Sequence, residues 1–162
     1  MPRAAWRWFA VAAAVGVADQ VTKALVLARF AYAERLELTS FFNLVLVYNK
    51  GAAFSFLAQA DGWQTPLLAV FALVAIAIVG TLIVRRPDER LFCAALALIL
   101  GGALGNLVDR LRFGQVVDFL DFHAAGWHWP AFNVADSAIT IGAALLIFEG
   151  LFHREGRARS SP

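Results

Sequence analysis

The stretch "LFCAALALILGGALGNLV", Leu91–Val108, decides the fold of this chain. It carries no charged residue, and a helix needs about 20 largely apolar residues to cross a bilayer core of about 30 Å. The whole chain is 60% hydrophobic and only 16% charged, which is too apolar for an ordinary soluble domain. The stretch therefore predicts a transmembrane helix in a membrane protein.

Three further segments are similarly apolar, although the first contains Asp19 and Lys23 and the fourth contains Asp136 and Glu149. The N-terminal run resembles a signal peptide, but its apolar pattern continues to Phe30, so we expect a retained span. We predict an all-α membrane protein with four transmembrane helices, built as a single membrane domain over residues 1–162. The expected parts are spans at about 6–30, 67–84, 91–108 and 134–152, outer loops 31–65 and 109–133, and a disordered cytoplasmic tail 153–162.

The basic residues predict the orientation of these spans. Eight of the 14 Lys and Arg residues fall at one end of the four spans, which by the positive-inside rule is cytoplasmic. Both termini should then be cytoplasmic and both loops outside. The basic residues follow the topology and form no nucleic-acid face, so we expect no nucleic-acid partner. The eight are Arg3, Arg7, Arg85, Arg86, Arg90, Arg154, Arg157 and Arg159.

The first outer loop has the pattern of strands. "RLELTSFFNLVLVYN", Arg35–Asn49, is rich in β-branched and aromatic residues and is apolar on both alternating faces. We expect a small β-rich segment that lies at the membrane interface and in part covers a site. Gly51, just after it, is a turn signal.

Carboxylates crowd the outer ends of spans three and four. Asp118 lies among apolar neighbours and Asp136 opens span four, although Asp136 could instead serve as a helix cap. Two carboxylates brought together in a low-dielectric place cannot both ionise easily, so one can accept a proton while the other donates one. Asp109 and Arg110 could form an interfacial charge cluster, and Asn106 one turn earlier favours a polar pocket.

Other residues have structural interpretations. Asp19 and Lys23 are spaced i, i+4, which predicts an internal ion pair with Lys23 reaching toward the interface. Gly101 and Gly105 share one helix face and would let another helix approach closely. A metal site would need ligands such as Asp118, Asp121, His123 and His128, but no zinc-binding spacing is present. We therefore expect neither a metal nor another cofactor.

Taken together, five short motifs resemble those of the lipoprotein signal peptidases, also called signal peptidase II, a family of membrane aspartyl endopeptidases. Each motif is weak alone, but five in order over nearly the full chain are specific. They are "DQVTK" (Asp19–Lys23), "NKGAAFSF" (Asn49–Phe56), "GGALGNLVDR" (Gly101–Arg110), "VVDF" (Val116–Phe119) and "FNVADS" (Phe132–Ser137).

The resemblance implies an enzyme of the bacterial inner membrane that cuts diacylglyceryl-modified prolipoproteins just before the lipidated cysteine, on the outer face. It implies Asp118 and Asp136 as the catalytic dyad, with Asp19 and Lys23 as structural polar residues. The expected partners are the prolipoprotein and membrane lipids, and we expect a monomer. The residues expected to orient substrate or dyad are Asn49, Gly51, Asn106, Asp109, Arg110 and Asn133.

Two alternatives remain at this point. A small proton-coupled transporter could use Asp19, Lys23, Asp109 and Asp136 as a relay, but a relay should cross the whole bilayer and these residues lie on the outer side. A non-catalytic membrane scaffold could use the small-residue face of span three, but this leaves Asp118 and Asp136 without a purpose.

Overall fold

The computed structural model describes residues 3–51 and 63–158, with side chains described as far as Leu151. The prediction for "NKGAAFSF" therefore falls outside the described residues from Ala52 onward, as does any covering role of residues 52–62. The elements are α1 (Arg3–Leu27), β1 (Arg35–Thr39), β2 (Phe42–Asn49), α2 (Gln64–Arg85), α3 (Arg90–Phe113), β3 (Val116–Ala124), β4 (Trp127–His128) and α4 (Val134–Ala158).

All four described helices are long and apolar enough to cross a membrane. Helix α3 is the central one, because 56% of its most apolar window is buried, compared with 11–22% in the other three. The outer faces of α1, α2 and α4 expose large apolar side chains such as Val21, Phe71 and Ile147, as lipid-facing helices do. The predicted fold class, four transmembrane helices with a small sheet, is confirmed.

Glycines let α3 approach its neighbours closely. A Cβ on Gly101 would lie 2.6 Å from the Cβ of Val15, and one on Gly105 would lie 2.5 Å from the Asp19 carboxylate. Both positions therefore face α1, as their shared helix face predicted. Gly102 faces α4 instead, where an added Cβ would collide with the carbonyl oxygen of Ala135.

The end of the bundle that holds the N-terminus of α1 has an apolar core. Ala5 and Ala12 of α1 pack there with Ile83 of α2 and with Leu96, Ala97 and Leu100 of α3. Arg7 Nη2 and Trp8 Nε1 both donate to the carbonyl oxygen of Pro87, at 3.0 and 2.9 Å. The first turns of α1 thus lie beside the link between α2 and α3.

The opposite end carries a four-stranded antiparallel sheet in the order β1-β2-β3-β4. The strands expected within Arg35–Asn49 are present as β1 and β2. Residues 109–133 were predicted only as an outer loop, yet they contain β3, which pairs along β2 from Phe42↔Phe122 to Asn49↔Val116. Strand β3 was missed because its aspartates interrupt the apolar alternation, and the structure buries those aspartates.

Two helix ends differ from the sequence prediction. Helix α3 continues past Val108 to Phe113 and ends at Gly114, whose φ of 68° is left-handed and whose N–H donates to the Arg110 carbonyl. Asp109 is paired inside the protein, so its charge does not end the helix. Helix α4 continues to Ala158, so residues 153–158, predicted as disordered tail, have helical backbone.

A second apolar cluster joins the sheet to the helices. Val26 of α1 packs with Leu46 of β2 and with Val117 and Phe119 of β3. Three backbone hydrogen bonds then hold Phe132 against β3, at Phe119 and Leu120. These bonds place Asn133 and the start of α4 directly beside β3.

Candidate active site

Asp118 and Asp136 meet where β3 returns to α4. Asp118 lies in β3 with 2% of its surface exposed, and Asp136 is half-buried in the first turn of α4. They are joined through Asn133, whose Nδ2 donates to Asp118 Oδ1 at 2.7 Å and whose Oδ1 accepts from the Asp136 N–H at 2.9 Å. Asn133 is the N-cap of α4, so Asp136 is not itself the cap.

A second asparagine holds the Asp136 carboxylate. Asn106 of α3 donates from Nδ2 to Asp136 Oδ1 at 2.8 Å, while its Oδ1 accepts from Lys23 Nζ at 2.9 Å and from Asn133 Nδ2 at 3.2 Å. Lysine can only donate, so the atom of Asn106 that faces Lys23 must be oxygen. The NH2 group of Asn106 is thereby forced toward Asp136.

The two other amides near Asp118 are oriented by backbone groups in the same way. Asn133 accepts a backbone N–H on its oxygen, which leaves its NH2 group for Asp118. Asn49 accepts the Gly51 N–H on Oδ1 at 2.9 Å, and its side chain acts to lower the pKa of Asp118. Each carboxylate therefore receives at least one amide donor whose direction is fixed by a third group.

Lys23 is the centre of a buried charge cluster. Its Nζ lies 2.8 Å from Asp19 Oδ2 and 2.8 Å from Asp109 Oδ2, and only 2% of Lys23 is exposed. The expected Asp19–Lys23 pair is present, but the prediction that Lys23 reaches toward the interface is wrong. Two carboxylates and Asn106 Oδ1 accept the N–H groups of the Lys23 ammonium inside the protein. These contacts replace the hydrogen bonds that the ammonium group would otherwise make to water.

The two carboxylates of this cluster also fix the backbone around the site. Asp19 Oδ1 accepts from the Ala135 N–H at 2.9 Å and so caps α4 from α1. Asp109 Oδ2 accepts from the Val117 N–H at 3.0 Å and so holds β3 one residue before Asp118. The residue just before each catalytic candidate thus has its backbone N–H held by a carboxylate from a helix, Asp109 of α3 for Asp118 and Asp19 of α1 for Asp136.

Gln20 is a residue that the sequence analysis did not single out. Its Nε2 donates to Asp109 Oδ1 at 2.8 Å and to the Gly105 carbonyl at 3.1 Å, and lies 3.3 Å from Asp19 Oδ2. A polar residue inside an apolar span was the available signal, since such residues seldom face lipid.

Burial and charge both act on Asp118. Desolvation, followed by the nearby charge of Asp136, raises the pKa of Asp118 to about 7, against the opposing effect of hydrogen bonds from Asn49 and Asn133. A carboxyl group with a pKa near neutrality can hold a proton at rest and release it during a reaction.

The site opens into two cavities that share a wall. One cavity of about 330 Å³ is bordered by Asp136, Asn106 and Arg110 and continues past Ile141 along α4. The other, of about 550 Å³, is bordered by Asp118. Asn49, Pro130 and Ala131 line both cavities.

Arg110 crosses from α3 to the end of β2. Its Nη2 donates to the Gly51 carbonyl at 3.2 Å and its Nη1 to the Asn106 carbonyl at 3.3 Å. Gly51 is buried and Arg110 is half-buried at the wall of the first cavity. The turn after β2 is thus attached to the same helix that carries Asn106.

Asp121 lies in β3, as Asp118 does, but it belongs to a separate cluster of polar side chains. It accepts from Asn43 Nδ2 and pairs with His128 Nδ1, both at 2.8 Å. Burial alone would raise the pKa of Asp121, but the hydrogen bonds from Asn43 and His128 and the charges of His128 and Arg35 lower it. His123 stacks on His128, yet within residues 3–51 and 63–151 no three potential ligands gather as a metal site.

Comparison with known proteins agrees with this architecture. The family model described as Signal peptidase (SPase) II matches residues 11–152. A protein of Paraburkholderia phytofirmans named "Lipoprotein signal peptidase" is 57% identical over 144 residues, which cover 89% of this chain and 84% of that protein. One of the same name from a Janthinobacterium species is 54% identical, over 89% of this chain and 87% of that protein.

Solved structures have the same fold. A bacterial membrane enzyme determined by the in meso method at 2.3 Å resolution superposes with a TM-score of 0.83 at 27% identity, over 96% of this chain and 93% of that one. Four apolar helices with two aspartates meeting at one end, together with these similarities, define a multi-span membrane protease of the aspartic type. The chain belongs to the signal peptidase II family.

Proposed function

We propose that the chain removes signal peptides from diacylglyceryl-modified prolipoproteins, with Asp118 and Asp136 as the catalytic pair. The observation that carries this proposal is the arrangement of the two carboxylates, each held by an amide donor with a forced direction. Membership of the family supports the reaction, and the names of the relatives support the substrate class. Cleavage just before the lipidated cysteine follows from the resemblance of the motifs.

The hydrolysis needs one acceptor and one donor of protons. We assign Asp136 as the ionised base, because the Asn106 NH2 group donates to it and the helix N-terminus stabilises an anion there. Asp118, with a pKa raised to about 7, is the protonated acid. Asp136 takes a proton from water, the hydroxyl adds to the scissile carbonyl carbon, and Asp118 gives its proton to the carbonyl oxygen.

The second half of the reaction reverses these proton movements. Asp136 gives its proton to the amide nitrogen as the C–N bond breaks, and Asp118 recovers a proton from the hydroxyl group of the tetrahedral species. The products are a carboxylic acid and an amine, and both aspartates return to their starting states. The remaining polar residues act by position: Asn49, Asn106 and Asn133 orient the dyad, and Arg110 with Gly51 shapes the first cavity.

The first cavity suits the membrane-embedded part of the substrate. It is bordered by Ser137, Thr140 and Ile141, which lie on successive turns of α4, so it descends along a transmembrane span. A lipid anchor held in the bilayer beside this helix would place the scissile bond at the depth of the dyad, and so reduce the entropic cost of alignment.

The orientation of the protein is also a proposal. The basic residues Arg7, Arg85 and Arg86 belong to the end of the bundle opposite the sheet. The positive-inside rule then gives cytoplasmic termini and a site that faces the periplasm or outside, in the bacterial inner membrane. We also propose that the protein works as a monomer, built as a single membrane domain.

The similarities do not support the transporter alternative, and neither does the placement of polar groups. Asp19, Lys23 and Asp109 lie at the sheet end of the bundle, whereas the opposite end is packed with apolar residues around Ile83 and Leu100. A proton relay would need polar groups through that region as well.

The direct test is a cleavage assay with purified full-length protein in phospholipid nanodiscs. A synthetic precursor peptide with a diacylglyceryl cysteine is compared with the same peptide carrying an unmodified cysteine. We expect cleavage only before the lipidated cysteine, read by mass spectrometry. Failure to cleave the lipidated peptide, or equal cleavage of both peptides, would contradict the proposed substrate.

A further inference from the structure

The second cavity has no role in the reaction described above, although Asp118 forms part of its wall. Apart from Asp118, it is lined by the loop before β1, the end of β2 with Lys50 just after it, the link before β3, and the link between β4 and α4. Among the described residues, none that lines it belongs to a transmembrane helix, in contrast to the first cavity. The two cavities therefore leave the dyad in different directions, one along a span and one toward the sheet.

We propose that the second cavity is a substrate subsite that binds the polypeptide segment following the lipidated cysteine, in an extended conformation. This inference rests on the proposed function. A precursor has a membrane-embedded part before the cut and a translocated part after it. Because the first cavity follows α4 into the membrane, the translocated part must leave through the cavity bordered by the sheet.

The edge of β2 is suited to an extended peptide. Strand β1 pairs with β2 up to Val45, and two backbone bonds continue the ladder to Leu46. Beyond Leu46, β2 continues to Asn49 with β3 as its only strand partner among the described residues. A peptide lying along Val47–Asn49 would extend the line of β1 and pair with β2 on the side opposite β3, the strand in which Asp118 pairs with Val47.

The side chains of the cavity indicate what it would bind. The rings of Tyr32 and Tyr48 stack with centroids 5.7 Å apart and an angle of 3° between planes, and both residues are exposed. Such a pair offers a flat apolar surface with hydroxyl groups at the rim. Lys50 is exposed at the same cavity, and Gln115 lies on the other side. The subsite should therefore favour short segments that contain an acidic residue.

The experiment compares two lipidated substrates that share the signal segment and cysteine. One ends as an amide at the cysteine, and the other continues for four residues. In nanodiscs, the full-length enzyme should cleave the longer substrate with a kcat/KM about two- to tenfold higher, as expected for one aromatic contact. Tyr32→Ala and Tyr48→Ala should each reduce this gain, with little effect on the short substrate.

Trp127→Ala is the matched control, because Trp127 is also an exposed aromatic residue of the sheet but lines a different cavity. It should retain the full gain. Tyr32 lies before β1 and is 69% exposed, so its truncation leaves strand pairing intact even if Tyr48→Ala lowers folding yield.

A charge test is independent of the tyrosines. Substrates with Glu or Lys as the second residue after the cysteine should differ about two- to fivefold at low salt, in favour of Glu, and Lys50→Glu should reverse the order. Equal cleavage of long and short substrates by the wild-type enzyme would overturn the subsite, as would a gain that survives both tyrosine variants. Absence of cleavage of either substrate would instead contradict the proposed function itself.

Discussion

The same pair of helices, α1 and α3, is packed in two different ways at its two ends. At the end away from the sheet, Ala5 and Ala12 of α1 lie against Leu96, Ala97 and Leu100, and the contact is apolar. At the sheet end, α1 contributes Asp19 and Lys23, α3 contributes Asp109, and the contact is a network of buried charges. Packing alone can hold helices together in lipid, so the charges are not needed for cohesion.

The difference is consistent with the sheet end as the proposed place of the chemistry. Burying an ion pair costs several kcal/mol of desolvation per ion, and apolar side chains of similar volume often serve stability as well or better. At the charged end, however, Lys23 directs the Asn106 amide toward Asp136, and Asp109 holds the backbone next to Asp118. We infer that changes at the apolar end act on stability, whereas changes at the charged end act on catalysis.

The largest effect should come from the dyad. Asp118→Asn and Asp136→Asn keep the side-chain shape but remove the titratable group, so each should reduce cleavage by at least about a thousandfold. Circular dichroism and membrane insertion should be unchanged. Asp121→Asn is the control, because Asp121 binds Asn43 and His128 and lines neither cavity next to the dyad. Substantial activity in Asp118→Asn would refute the assignment.

The next prediction compares a substitution at the charged, sheet end of the bundle with one at the apolar end. Lys23→Met should reduce kcat per folded molecule by about a hundredfold, because Asn106 is no longer held and a small misplacement of reacting groups has that cost. Ile83→Ala, at the apolar end, should lower the free energy of unfolding by about 2 kcal/mol and leave kcat unchanged.

Lys23→Met also leaves Asp19 and Asp109 buried without their cation, which destabilises the protein. Asp109→Asn is therefore measured beside it, since it keeps the Lys23–Asp19 pair. If Asp109→Asn and Ile83→Ala lowered kcat to the same degree, the two ends would not differ in the proposed way.

A smaller effect is expected from Gly105, the glycine of α3 that faces the Asp19 carboxylate. Gly105→Ala would place a methyl group 2.5 Å from the Asp19 carboxylate, so Asp19 must move and the cap on Ala135 weakens. We expect about a tenfold loss of activity and a lower melting temperature. Gly150→Ala, where nothing lies within 4 Å, should keep full activity and gain slightly in helix stability. Equal behaviour of the two alanine variants would contradict this role of Gly105.

The smallest effect concerns pH. The raised pKa of Asp118 means that the folded protein holds this proton up to about pH 7, so activity should fall as the pH rises through that value. The folded state binds more protons than the unfolded state between about pH 4 and 7, so this group makes stability decline over that range. The melting temperature of wild type relative to Asp118→Asn should therefore drop from pH 4 to pH 8. A constant difference would show that Asp118 is not perturbed.

The sequence was informative about the spans and about which polar residues matter. Uncharged runs such as Leu91–Val108 identified the helices, because the membrane imposes a length and a composition on them. The end of α3 was missed by one turn, since counting apolar residues stops at Asp109 while the helix ends only at Gly114. The placement of Lys23 was missed too, because its second carboxylate partner is 86 residues away along the chain.

Strand β3 shows another limit of the sequence. Asp118 and Asp121 make Val116–Ala124 look like a polar loop, and only tertiary structure supplies the amides that satisfy them, from Asn133 and Asn43. Local patterns report what a segment prefers by itself. They cannot report a partner that arrives from another part of the chain.

The cap that Asp19 places on Ala135 has a consequence for the timing of synthesis. Asp19 belongs to α1 and Ala135 to α4, so the two partners of this hydrogen bond are synthesised far apart in time. A nascent chain that has inserted only three spans lacks Asp136, and its Asp19 has not yet met α4. On the proposed mechanism such a chain has no dyad and cannot cleave, so α1 and α4 would complete the site together. Separately expressed halves, divided in the link between α2 and α3, should recover activity only when both are present in the same membrane.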